Sequence, residues 1–181
     1  KILSLINSSI ALTFGFLIPY FLARAYQRGE AEIADTLQKS EEDRSRFNQI
    51  LDAIPEFVFV KGPKSRLLWA NKSFREYYGM SNEQLRGIID APFNEPDYTA
   101  QYVRDDLKVF ETGKIVEIPE EPVTRFDGQV RLFHTVKSPI FDSKGDVVMS
   151  VGVSRDITDK KMADLVIEEQ KARMVASSKM S

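Results

Sequence analysis

Residues 2–23 carry no charged side chain. As a helix they span ~33 Å, enough to cross the apolar core of a bilayer. Asn7, Ser8, Ser9 and Thr13 dilute the run, and Pro19 is a candidate kink. Arg24 and Arg28 follow at once, so the positive-inside tendency places the rest of the chain in the cytoplasm. A cleaved signal peptide, suggested by Ala23-Arg24-Ala25, and a buried core helix are the alternatives. The long charged stretch that follows favours the membrane span. From 24 to 54 the chain is polar, with Ile33, Leu37, Ser40, Arg44, Phe47, Leu51 and Ile54 at alternating spacings of four and three. That stripe is the seam of a dimeric coiled coil, imperfect at Ser40 and Arg44, or the face of an amphipathic helix lying on its own domain. Pro55 disfavours helix at Ile54 and ends the run.

Between 55 and 158 the pattern changes to short strands and helices. Phe57-Val58-Phe59-Val60 is a buried strand, and Gly62-Pro63-Lys64-Ser65 turns it into Leu67-Leu68-Trp69-Ala70. Asn71 caps a short helix, Lys72 to Tyr78, that stops at Gly79. Ser81 and Gln84 have the spacing of a capping box for a second helix, closing at Gly87. A longer helix runs from about Thr99 to Thr112. Strands at about 115–125, 129–140 and 146–155 come last, joined by turns at Asp127-Gly128 and Asp142-Ser143-Lys144-Gly145. In the last strand Val147, Met149, Val151 and Val153 alternate with Val148, Ser150, Gly152 and Ser154. Short loops make the hairpin pairs antiparallel, so the helices pack on one face: an α+β fold with a five-stranded antiparallel sheet. Residues 159–181 return to a polar helix with Met162, Leu165, Ala172 and Ala176 as a weak seam.

Composition excludes more than it specifies. The 181 residues have a formal net charge of −2, which gives no electrostatic reason for nucleic-acid binding. There is no cysteine and one histidine, His134, so thiolate sites, disulfides and histidine-rich metal centres are excluded. No glycine-rich phosphate loop and no nucleophile–base–acid set is visible, so no catalytic residue is assigned. The chain begins with Lys1 and ends in an uncapped helical run, and is read as a piece of a longer protein.

Residues 50–158 resemble the PAS sensory family. The resemblance is carried by Ile54-Pro55, Trp69-Ala70-Asn71-Lys72-Ser73-Phe74, Tyr78-Gly79-Met80-Ser81 with Leu85 and Gly87, Ser138-Pro139-Ile140, Gly145, Val151-Gly152 and Asp156-Ile157-Thr158. Gly62 departs from the Asp common in relatives. The tail, Ala172 to Ser181, is similar to the start of the dimerisation helix of sensor histidine kinases. The resemblance implies four parts: a membrane helix over 2–23, a signalling helix over 24–54, a PAS domain over 55–158, and an output coiled-coil helix over 159–181. It implies a homodimer at the inner membrane with its PAS domain cytoplasmic. A kinase core beyond Ser181 would phosphorylate itself on histidine from ATP and pass phosphate to a response regulator. A PAS domain serving only as a ligand-free dimerisation spacer, or feeding a cyclic-di-nucleotide enzyme or chemoreceptor, is the alternative.

PAS domains hold ligands between sheet and helices. His134 shares the even face of its strand with Val130, Leu132, Val136 and Ile140, which is expected to look toward the helices. It is a candidate ligand contact, or a buried histidine satisfied by a neighbour. Trp69, Tyr98, Tyr102, Phe110 and Phe126 are candidates for the pocket wall, or for a filled aromatic core. No cofactor is required: the missing thiol disfavours flavin photochemistry, and relatives present haem ligands from helices. Glu117, Glu120 and Glu121, set among prolines, read as a solvated strand edge rather than a cation site. Asp156 and Thr158 are candidates for capping the exit helix, with Arg131 or Arg155 as the ion-pair partner that relatives supply.

Overall fold

A computed structural model describes the backbone of residues 2–178 and the side chains of 24–175. The chain divides into two units, 1–48 and 49–181. From residue 2 onward the first is helical, as part of α1 (Ile2–Asp52). Its seam residues Ile33, Leu37 and Phe47 are exposed in the single chain. The side chains of the membrane-span candidate, 2–23, lie outside the described residues, as do those of the tail from 176 onward. Among the described residues no helix is long and apolar enough to cross a membrane.

In the second unit, β1 (Phe57–Gly62) and β2 (Arg66–Ala70) form a hairpin around a 3-10 turn at Pro63–Ser65. Three helices follow: α2 (Lys72–Tyr78), α3 (Asn82–Leu85) and α4 (Pro96–Thr112). Then β3 (Val116–Thr124), β4 (Val130–Phe141) and β5 (Val147–Asp156) lead into α5 (Thr158–Ser178). The sheet order is β2-β1-β5-β4-β3, all antiparallel. The last strand therefore lies in the centre, between the first and the fourth. α4 begins earlier than its apolar pattern suggests because Pro96 occupies the first helical turn, where a missing N–H costs nothing.

The core lies between the sheet and α2–α4. Phe57 and Phe59 on β1, Leu67 and Ala70 on β2, Phe74 and Tyr78 on α2, Tyr102 on α4 and Phe133 on β4 form one buried cluster. Phe74 and Tyr78, one turn apart, stack at 4.3 Å, and Phe57 stacks on Phe133 at 4.5 Å. Gly79, at φ 61°, ends α2 and donates to Arg75 O and Glu76 O.

The structure reverses the face assignment of β4. Its odd positions point inward: Phe133 is 1 % exposed, Thr135 0 % and Lys137 2 %. His134 and Val136 stand on the outer face. On β5 the small residues Ser150, Gly152 and Ser154 are the buried ones, while Val153 is 42 % exposed. The valines pair across the outer face, Val153 between Val58 and Val136, and Val151 beside Val60. Small residues on β5 make room for large ones on β1. An ideal Cβ on Gly152 would lie 2.2 Å from Phe59 Cζ. Gly152→Ala is therefore expected to destabilise the domain by roughly 1–3 kcal/mol through overpacking, read as a lower denaturant midpoint with unchanged slope.

Candidate functional site

Two places in the second unit concentrate chemistry. The first lies between the layers, where a cavity of about 30 Å³ is bordered by Phe59, Leu67, Tyr78, Tyr102, Val123 and a set of buried charges. Lys61 continues the inward face of Phe57 and Phe59, and Lys137 that of Phe133 and Thr135. Both reach Asp106 on α4: Lys61 Nζ donates to Oδ2 at 2.8 Å and Lys137 Nζ to Oδ1 at 2.6 Å. Ser65 also donates to Asp106 Oδ2, and accepts from Lys61 at 3.2 Å. Ser65 is held at φ 60°, uncommon for a residue with a Cβ, so the turn carries strain that these bonds offset. Burial alone would raise the Asp106 pKa, but the two ammonium groups outweigh it and hold the carboxyl below its ordinary value of 3.8.

Glu121 is the fourth charge of this cluster. It enters at the irregular register of β3, where the strand bulges between Ile118 and Glu121. Its Oε2 accepts from Thr135 at 2.6 Å, while Oε1 is buried without a hydrogen-bond partner, 4.0 Å from Lys137 Nζ. Burial raises its pKa above 4.5, with Lys137 opposing the shift. The hydroxyl proton of Thr135 goes to Glu121, so Ser154 donates to Thr135 at 2.8 Å. A polar chain thus runs from the cavity to β5, two residues before Asp156. Burial also raises the Tyr78 and Tyr102 hydroxyls, which stay neutral. Tyr102 donates to Pro122 O.

The second place is where chain enters and leaves the domain. Asp156 Oδ2 accepts from Arg131 at 2.6 Å, and Oδ1 from Thr158 N at 2.9 Å. Thr158 Oγ1 accepts from Leu132 N at 2.9 Å, and Ile157 N donates to Leu132 O at the same distance. The start of α5 is therefore bound to β4. Partial burial would raise the Asp156 pKa, but the bonds from Thr158 and Arg131 hold it below 3.8. Arg155 turns instead to Glu56, at 2.9 Å. At the incoming end Asp52 accepts from Lys72 N at 2.7 Å and pairs with Arg75 at 3.1 Å. Asn71 is fully buried: Oδ1 accepts from Val58 N and Phe74 N, and the two Nδ2 protons are shared among Leu51 O, Ile54 O and Glu56 O. Ser81 and Gln84 close a reciprocal capping box at α3. An open cleft of about 690 Å³ adjoins this junction, bordered by Phe57, Tyr77, Phe126, Arg131, Ser154 and Asp156.

Of the six ligand candidates from sequence, Tyr102 alone borders the interlayer cavity. Phe126 is 56 % exposed and borders the junction cleft. Tyr98 packs against the core from its edge, and Trp69 and Phe110 are half-buried away from both cavities. His134 cannot face an interlayer ligand, because β4 turns it outward; its Nε2 contacts Glu117 at 2.8 Å. The glutamates divide: Glu120 pairs with Lys161 on α5, and Glu121 is buried rather than solvated. Lys61, Asp106 and Lys137 escaped the sequence reading. Their one signal was a lysine recurring on the same strand face as Phe57 and Phe59, and again as Phe133 and Thr135. Among the described residues there is no cluster able to hold a metal ion.

The fold agrees with the comparisons. Residues 51–162 match the family model described as the PAS fold, and the chain belongs to that family. A diguanylate cyclase of Vibrio cholerae is 33 % identical over 111 residues, covering 61 % of this chain and 35 % of that one. The methanogenesis regulatory histidine kinase FilI of Methanothrix harundinacea is 28 % identical over 144 residues, covering 80 % and 16 %. The aerobic respiration control sensor protein ArcB of Escherichia coli is 28 % identical over 121 residues, covering 67 % and 15 %. This chain thus spans about a third or less of the length of these relatives. A solved PAS domain from Colwellia psychrerythraea superposes with a TM-score of 0.55 at 21 % identity, over 64 % of this chain and 97 % of that one. This chain therefore contains a PAS-fold domain.

Proposed function

We propose that this chain is the input region of a membrane-bound sensor histidine kinase, relaying ligand occupancy or movement of its N-terminal helix to a kinase core through α5. The observation that carries the reading is the ion-paired junction: Arg131, Asp156 and Thr158 bind the first turn of α5 to β4, while Arg155 and Glu56 tie β5 to the incoming chain. A shift of the sheet relative to its helices would be felt at both ends together. The Glu121–Thr135–Ser154 chain offers a route from the interlayer cavity to that junction. A ligand drives such a shift only by binding the two packings unequally. Two histidine-kinase relatives and the similarity of the tail support a kinase output. The exposed α1 seam and the apolar outer sheet face suit pairing with a second copy, since a solvated monomer rarely leaves such surfaces open. The uncharged run before Arg24 supports an inner-membrane location with the PAS domain cytoplasmic.

The diguanylate-cyclase relative, the most identical of those compared above, supports a second reading in which the same module drives cyclic-di-nucleotide synthesis. In either case Asp156→Ala in the full-length protein is expected to leave the domain folded and to shift basal output several-fold. Autophosphorylation and cyclase assays on membranes, with circular dichroism of the purified chain, check this. A folded variant with unchanged output would remove the junction from the relay.

A further inference from the structure

The interlayer cavity is chemically incomplete in a specific way. Glu121 Oε1 is an acceptor sealed from solvent with no donor, on a side chain 6 % exposed. Beside it Lys137, 2 % exposed, spends two bonds, on Asp106 and Tyr102 O, of the three its ammonium can donate. Lys61 likewise bonds Asp106 and Ser65. A buried acceptor left without a partner is costly, so a site of this kind calls for a guest that donates to it.

Charge narrows the guest. Two ammonium groups, of Lys61 and Lys137, face two carboxylates, of Asp106 and Glu121, and offset them. Asp90 adds negative charge at the cavity wall, with its oxygens already taken by Ala91 N, Asn94 and Thr99. An anion would meet Glu121 and Asp90; a cation would meet Lys137. A neutral group with an N–H beside a C=O avoids both repulsions: its N–H would reach Glu121 Oε1 and its oxygen would accept from Lys137 Nζ, across the 4.0 Å that separates those atoms. Phe59, Leu67, Phe74 and Val123 give the remaining wall its apolar part, and Tyr78, Tyr102 and Ser154 add hydroxyls. The volume of about 30 Å³ admits a group of a few heavy atoms, since ~10–15 Å³ already holds a water.

We infer that this cavity is a binding site for a small uncharged molecule presenting an amide-like donor–acceptor edge to Glu121 and Lys137. The inference rests on the sensory reading only in treating the cavity as the place where a signal molecule sits. Three probes of one shape and different charge test it: acetamide, acetate and acetamidinium. Each is titrated into the 181-residue chain in detergent, and the amide resonances of Glu121, Thr135, Lys137 and Ser154 are followed by NMR. Acetamide is expected to shift them saturably in about the millimolar range, as befits four heavy atoms, with acetate and acetamidinium at least about tenfold weaker. Glu121→Gln keeps the shape but removes the acceptor charge, and is expected to reverse the preference toward acetate. Tighter binding of either ion to the unmodified chain, or no saturable shift with any probe, overturns the assignment, and that comparison needs no variant to fold. Binding is read without kinase output. Acetamide binding with a silent Asp156→Ala would therefore sink the relay and leave the site, while a responsive junction with no binding would do the reverse.

Discussion

Asp106→Ala is expected to cost the domain about 3–5 kcal/mol, because it leaves the Lys61 and Lys137 ammonium groups buried without their shared counter-ion. Ser65 would lose its acceptor in the same step, releasing a turn held at positive φ. Against a total stability of about 5–15 kcal/mol, this removes a large share. A domain of this size should melt more than about ten degrees lower, and calorimetry of the purified chain would measure it. Asp106→Asn keeps hydrogen-bond acceptance but not charge, and should fall between the two. The pH dependence has a defined sign. Asp106 has a folded pKa below its ordinary 3.8, so its contribution is complete above 3.8 and disappears as pH falls through the folded value. Asp156 behaves the same way. Glu121 runs opposite: raised above 4.5, it takes up a proton in the folded state first, so its protonation favours the fold as pH drops toward 4.5. Asp106→Ala should flatten the acid limb of stability against pH, whereas Glu121→Gln should remove the opposing contribution. A melting temperature for Asp106→Ala within two or three degrees of the parent, a fall of under about 1 kcal/mol, would show that the lysines find other partners.

The contrast between this cluster and the rest of the domain explains what could be read from the chain alone. Turns and caps announce themselves locally: Gly128 adopts φ 86° after Asp127, Asn71 and Ser81 accept the N–H groups of their own helices, and Gly79 closes α2. Five strands and their antiparallel pairing follow from such punctuation. The inward direction of β4 and β5 does not. Alternation separates two faces, and apolar residues ordinarily identify the buried one. Here Val136, Val151 and Val153 occupy the outer face, while Thr135, Lys137, Ser150 and Ser154 lie beneath the helices. The inner face is polar because it carries the charge cluster, and that cluster is assembled from β1, α4, β3 and β4, far apart in sequence. The same rule places His134 inward, and the structure turns it outward with its strand. Glu121 reads as solvated among Glu117, Glu120 and two prolines, and only the bulge in β3 turns it in.

Asn71→Ala is expected to be the most damaging substitution outside the charge cluster, at roughly 3 kcal/mol or more. A helix cap alone is worth ~0.5–2 kcal/mol, but this side chain does more than cap. Val58 N lies in the interior of β1 and has Asn71 Oδ1 as its acceptor. Alanine would leave that N–H buried and unsatisfied, a further ~1–3 kcal/mol. Three carbonyls, of Leu51, Ile54 and Glu56, would lose the amide that gathers the end of α1 and the chain beyond Pro55 onto the start of α2. Part of that connection survives, because Ser73 still donates to Ile54 O and Arg75 still pairs with Asp52. Asn71→Asp therefore separates the two roles. It retains the acceptor for Val58 N and Phe74 N but sets a carboxylate oxygen against three carbonyls. If the carbonyl contacts matter as much as the cap, Asp should be nearly as destabilising as Ala at neutral pH and should recover as acid protonates it. Hydrogen exchange at Val58 and chemical denaturation across pH 4–8 would resolve this. An Asp variant as stable as the parent at pH 8 would reduce Asn71 to an ordinary cap and shift the incoming anchor to Asp52 and Arg75.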